Sequence, residues 1–233
     1  LTYDESFTIN LTNVNEPPTG ADATVTINED TSHTMTAANF GFSDVDAGDS
    51  LSAVRIDTLP GAGSLTLSGV AVTVGQVISV ADITAGNWVF TPAANANGTG
   101  YASFTFSVRD SNNTYDAAPN TLTVNVTAAN DAPTDLALST NTVAENAANG
   151  TSVGTVSTTD PDSGDTQSYS LTDTAGGRFA INSSTGEITV ANGALLNYEA
   201  AASHGVTVRV TDSGGLTYDE SFTINLTNVN EPP

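Results

Sequence analysis

Residues 204–227 read HGVTVRVTDSGGLTYDESFTINLT. Val206, Val208 and Val210 alternate with Thr207, Arg209 and Thr211. Past the Gly214-Gly215 turn, Phe222, Ile224 and Leu226 alternate with Thr223, Asn225 and Thr227. Successive side chains leave a strand on opposite faces, so a period of two marks strands with one face buried and one wet. The two runs predict an antiparallel pair joined across Asp212–Gly215. Working outward, Phe104, Phe106 and Val108 alternate with Thr105, Ser107 and Arg109 in the same way. Turn dipeptides such as Asn97-Gly98, Gly176-Gly177 and Asn192-Gly193 separate the runs. The expected fold is all-β, as two tandem Ig-like β-sandwich domains of Greek-key type. The only helix-like piece expected is a short turn around 194–198.

The end of that stretch belongs to a repeat. Residues 216–233, LTYDESFTINLTNVNEPP, recur letter for letter as residues 1–18. The two copies stand about two Ig-sized units apart. A fainter echo divides the interval: VRDSNNTYDAAPNTLTVNVTAANDAP at 108–133 parallels VTDSGGLTYDESFTINLTNVNEPP at 210–233. The expected organisation is the last strand and linker of a preceding repeat at 1–18, one domain at 19–131 and a related one at 132–233. Pro17, Pro18 and Pro133 stiffen the links. The chain thus reads as an excised piece of a longer repeating protein. The first copy is expected to lack the neighbour strand that its second copy has at 204–211. Its stripe of Phe7, Ile9 and Leu11 is expected to dock on a neighbouring molecule's sheet, at an edge or by exchange.

Composition narrows the function classes. Of 233 residues, 26 are Asp or Glu and four are Lys or Arg, giving a formal net charge of −22. The four are Arg55, Arg109, Arg178 and Arg209, with no lysine. Nucleic acid and anionic lipid both require basic patches, so neither is an expected partner. No apolar run reaches 18 residues, which excludes a membrane-spanning helix and direct membrane insertion. Cysteine is absent, so neither disulfides nor thiolate chemistry contribute. A chain this acidic should attract cations, and bound calcium is the natural reinforcement for a sandwich without disulfides.

Two acidic loops supply the candidate sites. Asp44-Val-Asp46-Ala-Gly48-Asp49 and Asp160-Pro-Asp162-Ser-Gly164-Asp165 each place three carboxylates in six residues, with a glycine for the bend. Like charges so close repel unless a cation lies between them. Calcium takes 6–8 oxygens in flexible geometry, magnesium demands a strict octahedron, and zinc prefers His or Cys. The loops are not EF-hands: position six is Asp49 or Asp165 where that loop needs glycine, and position twelve is Arg55 or Leu171 where it needs Glu. Further ligands must come from elsewhere in the chain.

The second half also carries, in order, Val143-Ala-Glu145-Asn146, Thr185-Gly186-Glu187-Ile188, Leu196-Asn197-Tyr198-Glu199, Val210-Thr-Asp212-Ser-Gly214 and Asn230-Glu231-Pro232. With the DPDSGD loop this set resembles a cadherin repeat of the kind found in long bacterial RTX-type surface adhesins, over nearly all of 132–233. The first half resembles a more divergent bacterial cadherin-like module through Asn28-Glu29-Asp30, the DVDAGD loop, Phe90-Thr-Pro92 and Val108-Arg-Asp110, without a Leu-x-x-Glu motif. The resemblance implies calcium held where successive domains join. At the first junction Asn15 and Glu16 would meet Asp44, Asp46, Asp49 and Asp110. At the second, Asn130 and Asp131 would meet Asp160, Asp162, Asp165 and Asp212, with Glu29 reaching from the first domain. At the third, Glu145, Glu199, Asn230 and Glu231 would form half a site. Asn197, Glu16 and Glu231 stand where the family usually has Asp, which implies fewer or weaker ions. For Glu145 and Glu199 taken singly, solvated surface charge is the lesser reading beside that of a ligand.

Enzyme signals are poor. Gly150-Thr151-Ser152-Val153-Gly154 matches a nucleophile elbow, but the residues after it continue as a strand where an elbow needs a helix. Trp88 and Phe90 alternate as core residues rather than as a sugar-stacking platform. The expected role is a non-enzymatic, calcium-rigidified extender of a bacterial cell-surface adhesin, serving cell adhesion or biofilm formation. Its partners would be adjacent repeats of its own chain. A carbohydrate-binding or homophilic module is the competing class, and an exposed aromatic cluster or apolar patch would favour it.

Overall fold

In the computed structural model, residues 3–10, 12 and 14–231 are described. The chain separates into two compact units, Leu1–Ala129 and Asn130–Pro233, each with its own core.

The first unit contains β1 (Ala23–Asn28), β2 (His33–Thr34), β3 (Ala53–Ile56), β4 (Ser64–Leu67), β5 (Val70–Ala71), β6 (Val77–Ser79), β7 (Trp88–Thr91), β8 (Gly98–Arg109) and β9 (Asn120–Thr127). One sheet runs β1-β9-β8-β3-β6 and the other β2-β7-β4-β5. The alternation in β8 buries Phe104, Phe106 and Val108 completely or nearly so. Trp88 stacks on Phe40 at 4.9 Å, and Phe40 meets Phe106 edge-on at 4.9 Å. Both geometries suit the ring quadrupole and fill the space between the sheets. Trp88 and Phe90 are fully buried, so they are core residues and not a ligand platform.

The second unit contains β10 (Asp135–Leu138), β11 (Thr142–Ala144), β12 (Ser152–Thr159), β13 (Ser168–Asp173), β14 (Phe179–Ile181), β15 (Glu187–Val190), β16 (Ser203–Thr211) and β17 (Thr217–Thr227). Its sheets run β10-β12-β15-β14 and β11-β17-β16-β13. β16 and β17 pair antiparallel in nine registered positions, from Ser203↔Asn225 to Thr211↔Thr217. Val206, Val208, Val210, Ile224 and Leu226 close the core, as their alternation requires. The first strand leaves β12 at Leu138 and crosses to the other sheet, where β11 lies parallel to β17. In the first unit β1 likewise lies parallel to the last strand, β9.

The crossover explains the elbow-like motif. Register slips between Ser152 and Gly154, and Thr140 donates from its hydroxyl to the Val153 carbonyl at 2.6 Å. A Cβ at Gly154 would collide with the Thr140 carbonyl oxygen. The glycine is there for that close approach, and β12 runs on through Thr159 without a helix.

The helical content differs from the expectation. The turn near residue 194 exists as a 3₁₀ segment, Gly193–Leu195, capped by the Asn192 side chain. Two further pieces occur: Ala37–Phe40, a 3₁₀ turn, and Val80–Thr84, one α-helical turn. The second is started by Ser79, whose hydroxyl accepts the Asp82 N–H at 3.1 Å while donating to the Asp82 carboxylate at 2.7 Å. This reciprocal cap is a four-residue signal inside a β-rich stretch, too short to show as helical periodicity.

Candidate metal centres

In the first unit, the loop between the 3₁₀ turn and β3 folds on itself: the Asp46 N–H donates to Asp44 Oδ1 at 2.9 Å and the Asp49 N–H to the Asp46 carbonyl at 3.1 Å. Gly48, at φ 102°, supplies the left-handed residue this loop needs. Asp110, at the end of β8 and fully buried, faces the loop. One carboxylate oxygen each from Asp44, Asp49 and Asp110 lies within 4.8 Å of the others. The linker joins in. Asn15 donates from Nδ2 to Asp110 Oδ2 at 3.0 Å, and the Glu16 N–H donates to Asp46 Oδ2 at 2.8 Å.

The second unit repeats the arrangement bond for bond. The Asp162 N–H donates to Asp160 Oδ1 at 2.9 Å and the Asp165 N–H to the Asp162 carbonyl at 3.2 Å, with Gly164 at φ 89°. Asp212, buried at the end of β16, takes the place of Asp110. Oxygens of Asp160, Asp165 and Asp212 lie within 4.8 Å of one another. Asn130 donates from Nδ2 to Asp212 Oδ2 at 2.8 Å, and the Asp131 N–H donates to Asp162 Oδ2 at 2.7 Å. Thus Asn15, Asp44, Asp46, Asp49 and Asp110 correspond to Asn130, Asp160, Asp162, Asp165 and Asp212.

The electrostatics of these sites are unbalanced. Arg55 and Arg209 are paired with Asp57 and Asp219, Arg178 donates to the carbonyls of Leu195 and Ala175, and Arg109 donates to the Ser52 hydroxyl. None of the four neutralises an acidic trio. Asp44 Oδ2 is buried without a hydrogen-bond donor. Burial pushes the Asp110 carboxyl up, but hydrogen bonds from Asn15, Thr114 and Asn112 outweigh it and hold it below the usual range. Bonds from Ser213 likewise depress Asp165. In the linker, Glu16 is raised by desolvation and by the like charge of Asp46. Converging, unneutralised carboxylates are a donor set for a hard dication, which the oxygen-only composition suits.

The remaining expected carboxylate ligands accept hydrogen bonds within their own units. Glu29, only 3% exposed, accepts the Ala129 N–H at 2.7 Å and the Asn97 amide at 3.0 Å. Glu145, 2% exposed, accepts the N–H groups of Tyr198 and Val229 at 2.7 and 2.8 Å, and those bonds lower its carboxyl. It is a buried acceptor, not a solvated surface charge. Glu199 is exposed and accepts from Asn228, while Glu231 accepts from Asn146. Asn230 is exposed. Among the described residues, Glu145, Glu199 and Glu231 do not form a converging trio. Sequence reasoning missed Asn112, which donates to both Asp49 oxygens at 3.0 and 2.9 Å, and Thr114, whose hydroxyl accepts from Asn15. Both lie in the turn following Asp110, whose Ser-Asn-Asn-Thr composition was the available signal.

A cadherin-like domain model matches residues 14–127, and a cadherin domain model matches residues 139–227. The chain is two cadherin-like domains in tandem. The similar solved structures agree in fold. Mouse cadherin-23 EC22–24 is 22% identical with a TM-score of 0.60, over 93% of this chain and 67% of that one. Protocadherin gamma B2 extracellular domains 1–5 are 15% identical with a TM-score of 0.57, over 94% of this chain and 40% of that one. Human mucin-like protocadherin EC1–2 is 16% identical with a TM-score of 0.50, over 91% and 98%. No curated protein matches the chain. Cadherin domains bind calcium in general and are extracellular, and both cadherin-like domains of this chain contain a cluster of acidic residues. Among the described residues, no helix is long and apolar enough to cross a membrane.

Proposed function

We propose that this tandem of cadherin-like domains is a calcium-stiffened extender segment of a bacterial surface adhesin, holding distal binding domains away from the cell. The observation that carries the reading is the duplicated site. Two diverged domains present the same five side chains in the same hydrogen-bond pattern, and no arginine neutralises either trio. A chain that merely needed an acidic surface would gain nothing by keeping such a costly convergence twice. In each case a linker residue bonds the acidic loop, so the ion that steadies the loop also steadies the linker. Asp44, Asp46, Asp49 and Asp110 serve one site, with Asn15 and Glu16. Asp160, Asp162, Asp165 and Asp212 serve the other, with Asn130 and Asp131.

The test is a calcium titration followed by thermal unfolding. At free calcium about 100 times the dissociation constant, each occupied site adds about 2.7 kcal/mol. Trp88, the only tryptophan, reports the first unit alone, and circular dichroism reports both. Millimolar calcium should raise both transitions and magnesium should raise them far less. Asp44→Asn/Asp49→Asn should abolish the calcium response of the tryptophan signal only. Identical melting curves in chelator and in calcium would end the metal reading. Spin labels on either side of residues 129–134 should show a broader distance distribution after chelation, and an unchanged one would remove the stiffening role.

A further inference from the structure

The first unit carries a piece that the second does without. In the second unit β14 and β15 pair antiparallel across the short connection 182–186. In the first, β4 and β7 pair antiparallel from Ser64↔Thr91 to Leu67↔Trp88, but residues 68–87 lie between them. That longer connection contains β5, β6 and the helical turn Val80–Thr84. β5 is the outermost strand of one sheet and β6 the outermost strand of the other. Val72, Ile78 and Ile83 anchor the piece in the core.

Its outward side is unlike the rest of the chain. Between Asp57 and Arg109 the only charged residue is Asp82, in a chain with 26 carboxylates. Asp82 is occupied with its own turn, accepting from Ser79 at 2.7 Å and from Asn87 at 3.2 Å. The first segment exposes Tyr3, Phe7 and Ile9, and Leu11 of its expected stripe lies outside the described residues. Elsewhere the exposed large apolar side chains gather most densely here: Val70 is 71% exposed, Val74 61%, and Leu59 and Val77 43% each. Beside them Leu59, Pro60, Leu65 and Val72 line a notch of about 210 Å³. Open sheet edges are ordinarily guarded by Lys, Pro or an inward-pointing charge, and β5 and β6 have none of these. The two strands are only two and three residues long, so backbone pairing adds little and side chains must carry any contact.

We propose that this edge is a self-docking surface, through which two copies of the chain join side by side about a two-fold axis. Charge selects the occupant. Each copy has a formal net charge of −22, and like charges facing one another across a contact cost several kcal/mol. At the β5–β6 edge two copies meet without that cost. The edge also holds both halves of a fit, since Val70 and Val74 protrude and the notch has room for a side chain of their size. A two-fold axis sets the valines of each copy against the notch of the other, so the contact closes at two copies. The inference does not rest on the calcium reading.

The test is sedimentation velocity of the full chain over a concentration series in chelator. A reversible monomer–dimer equilibrium should appear. It should tighten as salt rises from about 0.01 M to about 0.15 M, where the Debye length shrinks from about 30 Å to about 8 Å and the repulsion between the copies is screened. Val70→Asp/Val74→Asp should raise the dissociation constant at least about 100-fold, because it sets carboxylates against one another in the contact. Trp88 fluorescence during unfolding should show that variant's first unit still folded. Thr24→Asp/Thr26→Asp adds the same charge on exposed positions of β1 and should leave the dimer intact. The chain has no cysteine, so Val74→Cys should give a disulfide-linked dimer on oxidation only if the two edges meet, and Thr24→Cys should not. A parent that stays monomeric at every concentration and salt overturns the inference. So does a dimer that survives Val70→Asp/Val74→Asp, one that weakens as salt rises, or growth beyond two copies.

Discussion

Replacing Glu29 by alanine should destabilise the first unit even when no calcium is present. Glu29 sits just past β1, where its own N–H donates to the Thr127 carbonyl at 2.9 Å. Its side chain, 3% exposed, accepts from the Ala129 N–H at 2.7 Å and from the Asn97 amide at 3.0 Å. It therefore fastens the end of β9 and the loop before β8 to the end of β1. Hydrogen bonds to an ionised group contribute about 1.5–3 kcal/mol each. Ala129 and Asn97 are both exposed, so water would recover part of that once the carboxylate is gone. The expected loss is about 2–3 kcal/mol, or about 8–12 °C in melting temperature for a unit of this size. Trp88 fluorescence during thermal and urea unfolding in chelator measures it without contribution from the second unit. Glu29→Gln keeps one oxygen acceptor and should recover roughly half. A loss under about 0.5 kcal/mol for Glu29→Ala would show that the two bonds add nothing over hydration, and would refute the reasoning.

Gly154→Ala should cost about 1–3 kcal/mol in the second unit, seen in urea unfolding, because the new methyl meets a backbone oxygen that cannot rotate away. A cost near zero would mean that the crossover at Thr140 is not as close as described. Trp88→Ala should cost about 3–5 kcal/mol and unfold the first unit first, with circular dichroism retaining the second unit's signal. Burial, then the like charge of Asp57, raises the Asp116 carboxyl above its usual value. A raised acid disfavours the native state when ionised and stabilises it as pH falls through the folded value toward the unfolded one. Asp116→Asn should therefore be no less stable than the parent at pH 7, and the parent should gain on it during acidification toward pH 4. A constant gap between their melting temperatures across that range would contradict the assignment.

The architecture was legible in local pattern alone. Alternation in 104–108, 206–210 and 222–226 can be satisfied only by strands with one face in a core, and the echo between 108–133 and 210–233 required two such units. Six of the carboxylates that form the trios were also legible, because two Asp-rich loops with a glycine, each completed by an Asp at a strand end, are local patterns. Other features depended on long-range packing. The crossover from β10 to β11, the need for Gly154 and the helical turn capped by Ser79 arise where distant segments meet, and no local period encodes such a meeting. Glu29 and Glu145 show the same limit. Nothing in Asn-Glu-Asp or Ala-Glu-Asn distinguishes a solvated carboxylate from one that is almost wholly enclosed and accepts hydrogen bonds from residues that the fold brings back to it. The identical 18-residue segments make the point most directly. Their chemistry is the same, and only the presence of β11 and β16 around one of them decides that its Ile224 is buried while Ile9 stands in water.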